Sequence, residues 1–571
     1  MKTSFLSLFT LLVVCGCQPA ALTTPAGLKA STLSSNSISI SWSAVPTATS
    51  YQLERKADSG NYAVIQASLK QPSHSDTGLS PSTRYSYRVK AMSARGSSAY
   101  AEIAAMTFAS APSPERLRVS SNKRYLETED GKPFFYMAGV VWWMTQRITR
   151  EEAKSYLQNR AAKGFNVVTI SVVTEVDVQG PNPEGQTPLL PLDSNPNIRD
   201  PDKPNQKFFE FLDYIIDTAN NWGIYIALNP AWNNALGGPN GIAPFAPMFT
   251  EAKARRFGQY LGQRYKNKGI IWVLGGDELL RPEHDTPRVR PEFNHLERRK
   301  MWRAMAEGLN AAMQETQLIT FHPGGKEGSS AEVLDEPWLD FVMQQSGHDN
   351  RFYTSRIHEV YNRSPIRPVI DGEGIFEETA IAANVQLGYS TDADVRRIAY
   401  WNLLSGAAGH AYGHLSVVQF YSGMYEGVFK PLKTWDKALD TPGAQDMLHL
   451  KALMKSRPFY QGSPDIGVVA RDYGQGVEQL QALRGPNFAL IYLPKPRSIP
   501  IYMGRLTGDQ GNQTLLAWWF NPRTGATSKI GEFSGAGEQS FVAPTTDGSS
   551  LGTDWVLVLD WKSAGFGPPG N

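Results

Sequence analysis

The residues best suited to chemistry stand at one recurring place, directly after short apolar runs. Asp277 and Glu278 close IIWVLGGDE (270–278), and Glu373 follows Asp371 in RPVIDGEGI (367–375), with Glu377 just beyond. Trp142 and Trp143 follow FFYMAGVV, Glu175 follows FNVVTISVVT, and Asn229 and Trp232 lie in GIYIALNPAW. His322 stands in QLITFHP, Gln344, Gln345, Ser346 and His348 follow DFVM, and His410, Tyr412 and His414 fall in GHAYGH. Carboxylates, imidazoles, amides and indoles gathered this way suit a sugar site. Paired acids perform acid/base work, polar groups hold hydroxyls, and aromatic faces stack on sugar rings.

Within that set, Asp277 is the preferred general acid/base and Glu373 the preferred nucleophile. Trp142, Trp143, Asn229, Trp232, Glu278, His322, Gln345, His348, Glu377, His410 and Tyr412 are the expected substrate contacts. Plainer readings stand beside these. Asp277 could cap a following helix, and a one-residue register shift would hand its role to Glu278. Glu373 could be a buried structural acid, with Asp371 orienting it or pointing inward, and either histidine could be a core hydrogen-bonding group. Carboxyl groups about 5–5.5 Å apart imply retention of configuration and about 6.5–9.5 Å inversion, a gap that sequence leaves open. His322, His348, His410 and Glu373 could gather around a metal, but no HExxH or similar ligand spacing occurs, so no metal or other cofactor is expected. Gln344 stands two residues before Ser346, so the GxSxG elbow of a serine hydrolase is missing.

Elements that could hold these groups alternate along residues 124–457. Eight apolar, strand-like runs beginning at 134, 165, 223, 270, 317, 340, 367 and 409 are separated by amphipathic stretches. Helices are predicted over 148–164, with Thr149 and Glu152 as a capping box, and over 208–222, 250–265, 302–313 and 392–405. This pattern predicts a (β/α)8 TIM barrel with the polar residues at its mouth. A doubly wound sheet is the alternative, weakened because no strand feeds a phosphate-binding glycine loop. The Pro- and Asn-rich stretch 174–207 is expected to be a long loop walling the cleft.

The flanks differ in texture. Residues 27–110 contain alternating runs such as SISISWSAV and RYSYRVKAM, which predict a small β-sandwich. Residues 17–26 and 111–123 are linkers. Past Arg457, the runs GVVARDY, NFALIYLP, TLLAWWFNPRTG and DWVLVLDWK predict a second β-sandwich over 458–571, joined without a flexible linker and so packed on the barrel. The first 16 residues, with Lys2 and an apolar run too short to span a bilayer, form a secretory signal. Val14-Cys15-Gly16-Cys17 has the shape of a bacterial lipobox with Cys17 lipidated, an ordinary cleaved signal being the alternative. Either predicts an exported protein, as an outer-membrane, cell-surface or periplasmic lipoprotein touching membrane through its lipid alone. The chain's two cysteines both lie here, so the mature body has no disulfide or thiol chemistry. A formal charge of +2 over 571 residues argues against nucleic acid as a partner, and no obligatory protein partner is evident.

Two resemblances add to this reading. Trp42, Tyr51 and Leu79-x-Pro81-x-Thr83-x-Tyr85-x-Tyr87-x-Val89 resemble a fibronectin type III module. The barrel segment resembles the apiosidase-like glycoside hydrolases, including glycoside hydrolase family 140. It does so through Tyr156-Leu157-x-x-Arg160-x-x-x-Gly164-Phe165, Arg264-Tyr265, Ile271-Trp272-x-x-Gly275-Gly276-Asp277 and Thr320-x-His322-Pro323. Pro337-Trp338-Leu339-Asp340-Phe341, Gln345-Ser346-Gly347-His348, Glu373 with Glu377, and Gly409-His410-x-Tyr412-Gly413 continue the match. Residues 458–571 look like the collagen-binding-type β-sandwich that trails this barrel. The resemblance implies a glycosidase acting on plant cell-wall or similar complex polysaccharides, releasing apiose or a related terminal sugar, with Asp277 and Glu373 as its catalytic pair. Where the family commonly has Glu-Pro-x-Tyr-Glu, this chain has Glu373-Gly374-Ile375-Phe376-Glu377, which changes the cleft beside the nucleophile. The competing reading is a catalytically inactive, surface-exposed glycan-binding lipoprotein, and the presence of both carboxylates speaks against it.

Overall fold

The computed structural model describes residues 22–571 except 33–36, 59, 95, 108–113, 175–179, 237–247, 286–292, 326–327, 352–355, 509–512 and 545–551. The expected signal segment, Cys17 and Glu175 lie outside the described residues. Among the described residues, no helix is long and apolar enough to cross a membrane. The chain forms two compact units, Met1–Ala111 and Pro112–Asn571.

In the first unit, Lys29–Thr32, Ser37–Ser41 and Ser73–Thr77 make one antiparallel sheet, and Ser50–Ala57, Ala63–Leu69, Arg84–Ser93, Gly96–Ser97 and Ala101–Met106 another. Period-2 alternation sends Tyr85, Tyr87, Val89 and Ala91 inward, against Ile38, Ile40, Trp42 and Leu53. Trp42 meets Tyr51 edge-on at 5.2 Å between ring centroids.

The second unit is built on eight parallel strands: β1 (Tyr136–Val140), β2 (Val167–Val173), β3 (Tyr225–Ala231), β4 (Ile270–Glu278), β5 (Ile319–Pro323), β6 (Val342–Gln345), β7 (Val369–Glu373) and β8 (Gly409–Tyr412). They pair in the order β5-β4-β3-β2-β1-β8-β7-β6. The pairing of β1 with β8 bends the sheet round and rules out the doubly wound alternative. At the seam between β5 and β6, Asp340 donates its N–H to Ile319 O (2.9 Å) and accepts the Ile319 N–H on Oδ2 (2.7 Å). Thr320 Oγ1 adds a 2.7 Å bond to Phe341 O across the same seam. Nearly every strand residue is buried, as expected where helices cover one face and the barrel interior the other.

Helix starts follow local chemistry. Helix α1 (Arg150–Ala162) carries the full capping box of Thr149 and Glu152. Asn205 caps α2 (Gln206–Asn221), Thr250 caps α3 (Glu251–Tyr265) and Asn294 caps α4 (His295–Met313). Helix α4 begins seven residues before the predicted Trp302, because its polar first turns hide the apolar period. Helix α5 (Asp392–Leu404) precedes β8, and α6 (Pro442–Lys455) closes the ring.

Two expectations fail here. The 174–207 stretch is not a structureless loop: Leu189–Leu192 and Asn195–Pro204 form a hairpin. Asp200 and Asp202 tie that hairpin to Lys253 and Arg256 of α3. Its prolines hid the strands, since proline is tolerated only at edges and irregular pairings. GVVARDY is also not a strand; Ile466–Val468 is a short 3-10 turn, with a lone bridge from Val469 to Ile501.

The C-terminal sandwich has a six-stranded sheet that includes Phe488–Leu493, Trp555–Trp561 and Thr514–Phe520, and a two-stranded sheet of Ser498–Tyr502 and Glu538–Val542. It packs on the barrel through buried polar bonds. Arg457 makes a bidentate pair with Asp560 (2.7 and 2.6 Å), and Tyr400 of α5 stacks on Tyr492 at 4.8 Å.

Candidate active site

The end of β4 departs from regular pairing in a way that sorts its two acids. Gly275 faces His322 on β5, but the next paired residue is Glu278, opposite Pro323, so Gly276 and Asp277 bulge out of the ladder. Both glycines have positive φ (+86° and +112°). A Cβ on Gly275 would lie 2.4 Å from His322 O, and one on Gly276 2.7 Å from the Trp232 ring. The double glycine therefore brings protein against protein, letting His322 and Trp232 approach the strand. Asp277 itself is left-handed (φ +51°), a strained conformation that neighbours hold in place. Its N–H donates to His322 Nδ1 (3.2 Å), and its carbonyl accepts from Asn233 Nδ2 (2.8 Å).

This bulge turns Asp277 into the mouth, its side chain 37% exposed, and returns Glu278 to the wall. Glu278 is fully buried, with Oε1 on Arg298 Nε (3.1 Å) and Oε2 on Trp302 Nε1 (3.0 Å). The expected substrate contact at Glu278 is thus a structural ion pair with helix α4.

Across the mouth, the buried Glu373 carboxylate is ringed by donors. Trp142 Nε1 (3.0 Å) and His322 Nε2 (3.1 Å) reach Oε2, and Gln345 Nε2 (2.9 Å) and His348 Nε2 (3.4 Å) reach Oε1. The same Gln345 nitrogen donates to Asp277 Oδ1 at 3.0 Å, so one amide bridges the two acids. Asp277, His322 and Glu373 each place a polar atom within 4.8 Å of the others. Such a trio could hold a cation. Its lone pairs, however, already accept bonds from Trp142, Gln345 and the Asp277 amide. The amide accepted at Nδ1 fixes His322 as the Nε2–H tautomer that donates to Glu373.

The two acids are driven apart electrostatically. Burial, then the neighbouring Glu373 charge, lifts the Asp277 pKa to about 6. Burial also pushes Glu373 up, but hydrogen bonds from His322 and His348 outweigh it and hold the carboxyl well below the usual carboxylate range. Burial opposes a charged His322 ring; Glu373 and Asp277 overcome that and raise its pKa.

Indoles wall the floor. Trp142 meets Trp232 and His322 edge-on, each at 4.9 Å between centroids. Trp143 is half-buried, with the Arg147 guanidinium 5.6 Å from its ring. His348 packs on Phe376 at 4.8 Å. Gln345 Oε1 and His348 Nδ1 are buried without a partner.

Four further expected contacts lie elsewhere. Asn229 has no exposure and spends its Nδ2 on the Val273 and Gly275 carbonyls of β4 (2.8 and 3.1 Å). His410 is buried one layer down, bonded to Asp371 (2.6 Å), which also accepts from Asn402 (2.7 Å). Tyr412 donates to Glu377 (2.6 Å), whose carboxylate takes Thr441 (2.9 Å) and the Gly443 N–H (3.3 Å) at the start of α6. Glu377 and Tyr412 therefore anchor a helix, and His410 and Asn229 brace strands. Asn233, which sequence reading passed over, supports the Asp277 peptide; an amide one residue past Trp232 was its only signal.

Opposed acids with divergent proton affinities, set at the C-terminal mouth of a (β/α)8 barrel, define the class of barrel glycoside hydrolases. The chain belongs to the apiosidase-like family: the model described as "Apiosidase-like, catalytic domain" matches residues 120–461. "Fibronectin type III domain" matches residues 23–107, and "Putative collagen-binding domain of a collagenase" residues 463–560. A solved structure described as "Glycoside hydrolase" is 31% identical, covering 79% of this chain and 98% of its own, with a TM-score of 0.67. A glycoside hydrolase family 5 protein from Bacteroides vulgatus ATCC 8482 is 29% identical over 78% of this chain and 94% of its own (TM-score 0.66). Another B. vulgatus structure shares the fold at 13% identity, covering 95% of this chain and 100% of its own (TM-score 0.55). Among curated proteins, a poly(3-hydroxybutyrate) depolymerase from Delftia acidovorans is 40% identical over 78 residues, which is 14% of this chain and 15% of that relative's length.

Proposed function

We propose that this chain is a retaining glycoside hydrolase that releases a terminal sugar from a complex polysaccharide, with Glu373 as nucleophile and Asp277 as acid/base. The supporting observation is the short gap: one oxygen of each acid lies within 4.8 Å of the other, bridged by Gln345 Nε2, which fits the roughly 5–5.5 Å of retaining sites better than the roughly 6.5–9.5 Å of inverting ones. Ionised Glu373 attacks the anomeric carbon, while protonated Asp277 gives its proton to the departing glycosidic oxygen. Asp277, now ionised, takes a proton from water, whose oxygen displaces Glu373 from the sugar. Trp142 and His322 hold Glu373 ionised and aimed, and Gln345 Oε1 and His348 take hydroxyls of the bound sugar. Family membership supports apiose or a related sugar as the unit released. The lipobox supports export and anchoring at Cys17, which puts the barrel where polymeric glycans occur.

The test is turnover of a panel of plant and algal polysaccharides, with products read by mass spectrometry and anomeric configuration by proton NMR. Release of one sugar with retained configuration, lost in Glu373→Gln, is the expected result. Inverted product would overturn the nucleophile assignment. Glycan binding by wild type with no turnover on any substrate would mean an inactive binding protein.

A further inference from the structure

The backbone ladder between β3 and β4 runs from Ile226–Ile270 to Leu228–Trp272. Past that point the two strands follow different neighbours. β3 continues beside β2, with Asn229 opposite Ser171 and Ala231 opposite Val173. β4 continues beside β5, out to Glu278 opposite Pro323. Side-chain amides span the gap that opens between them. Asn229 Nδ2 donates to the Val273 and Gly275 carbonyls (2.8 and 3.1 Å). Asn233, at the start of the short 3-10 turn Asn233–Leu236 that follows β3, donates its Nδ2 to the Asp277 carbonyl (2.8 Å). On every second carbonyl of β4, two asparagines thus carry on the ladder that the backbone of β3 leaves off.

Both asparagines are fully buried, and in both the Oδ1 has no partner. A buried acceptor left unmatched is costly, and a role confined to packing would be met by an apolar side chain without that cost. What the amides supply is the donor. At Asp277 that donor grips one end of a residue whose other end is already held, since the Asp277 N–H donates to His322 Nδ1 (3.2 Å). The left-handed φ of +51° is therefore fixed by bonds to His322 of β5 on one side and to the turn after β3 on the other.

We propose that Asn233 is a positioning residue for proton donation: by holding the Asp277 carbonyl it aims the Asp277 carboxyl at the glycosidic oxygen. The proposal rests on the reading of Asp277 as acid/base and adds the residue that makes its direction possible. Being fully buried, Asn233 does not meet the sugar; it acts through the peptide that joins Asp277 to Glu278. Loss of that hold costs most where the departing oxygen most needs a proton, a pattern that general loosening of the fold does not produce.

The test is kcat/KM for aryl apiosides graded from phenyl, a poor leaving group, to dinitrophenyl, a good one. It is measured on wild type, Asn233→Ala, Asn233→Gln and Asp277→Asn. Asn233→Ala loses about 10- to 100-fold on the phenyl apioside and less than about threefold on the dinitrophenyl one, so the dependence on leaving group steepens. Asn233→Gln, which keeps the amide but displaces it by one methylene, falls between wild type and Asn233→Ala. Equal losses across the series in Asn233→Ala, or a wild-type dependence, overturn the proposal. If Asn233→Ala does not fold, Asn233→Gln decides by the same criterion. Asp277→Asn separates the two readings. If it fails to steepen the dependence, Asp277 falls as the acid and Asn233 falls with it; steepening in Asp277→Asn alone sinks Asn233 and leaves Asp277 standing. Should wild type turn over no apioside, a crystal structure of the folded Asn233 variant decides. There Asp277 leaves its left-handed conformation and its bond to Gln345, and an unmoved Asp277 overturns the proposal.

Discussion

Two places in the second unit gather carboxylates, and they treat charge in opposite ways. At the barrel–sandwich contact, Arg396 meets Asp446 (2.5 Å), Asp554 (2.8 Å) and Asp392 (3.0 Å), with the arginine only 1% exposed. At the mouth, Glu373 is held instead by an indole, an amide and two imidazoles, and the same amide reaches Asp277. A guanidinium that never gives up its proton supplies a permanent counter-charge and glues two domains. Neutral donors and histidines stabilise a carboxylate without cancelling it, so a proton can still come and go. The same residue types make structure in one place and chemistry in the other, according to whether a carboxylate faces a guanidinium or, as Glu373 does, neutral donors and imidazoles.

Glu373→Gln tests this contrast most severely. It removes the nucleophile, and kcat should fall about 10⁴- to 10⁶-fold while melting temperature stays close to wild type. Asp277→Asn should cost about 10²- to 10⁴-fold on substrates with poor leaving groups, and far less on activated aryl glycosides that need no proton. Equal losses on both substrate types would break the assignment of Asp277 as acid. Arg396→Met should show the reverse signature: about 3–5 kcal/mol of stability lost in denaturant titration, because three carboxylates lose their cation, with kcat of the folded fraction preserved.

The smallest effects are in pH. Asp277 works protonated and Glu373 ionised, so kcat/KM should fall as pH rises through about 6 and hold well into the acid range. Burial lifts Asp446 to about 7, against the pull of Arg396. A carboxyl raised on folding binds a proton more tightly in the native state. Its contribution is therefore full below the ordinary aspartate range and lost as pH rises through about 7. Melting temperature should decline between about pH 4 and 7, and Asp446→Asn should flatten that slope. A slope unchanged in the variant would place the titrating group elsewhere.

Sequence exposed the strands of the barrel well, because parallel buried strands are short apolar runs that few other structures require. IIWVLGGDE is β4 residue for residue. Asp277 and Glu373 stood out for the same reason, at strand ends where a barrel opens. Position along a strand says nothing of depth or direction, however. His410 and Asp371 fall one layer below the mouth, and Glu377 and Tyr412 turn outward to α6. The two-residue bulge that separates Asp277 from Glu278 depends on how β4 pairs with β5, a relation between distant segments that no local pattern records.

The Arg396 cluster, the Arg457–Asp560 pair and the Tyr400–Tyr492 stack all cross the line at residues 461–463 where one family's match ends and the next begins. That line separates two modules that match different families. It is not a line along which the folded protein can be cut: a barrel expressed alone would uncover charges that only the sandwich neutralises. A substitution on either side of the joint is therefore felt by both modules.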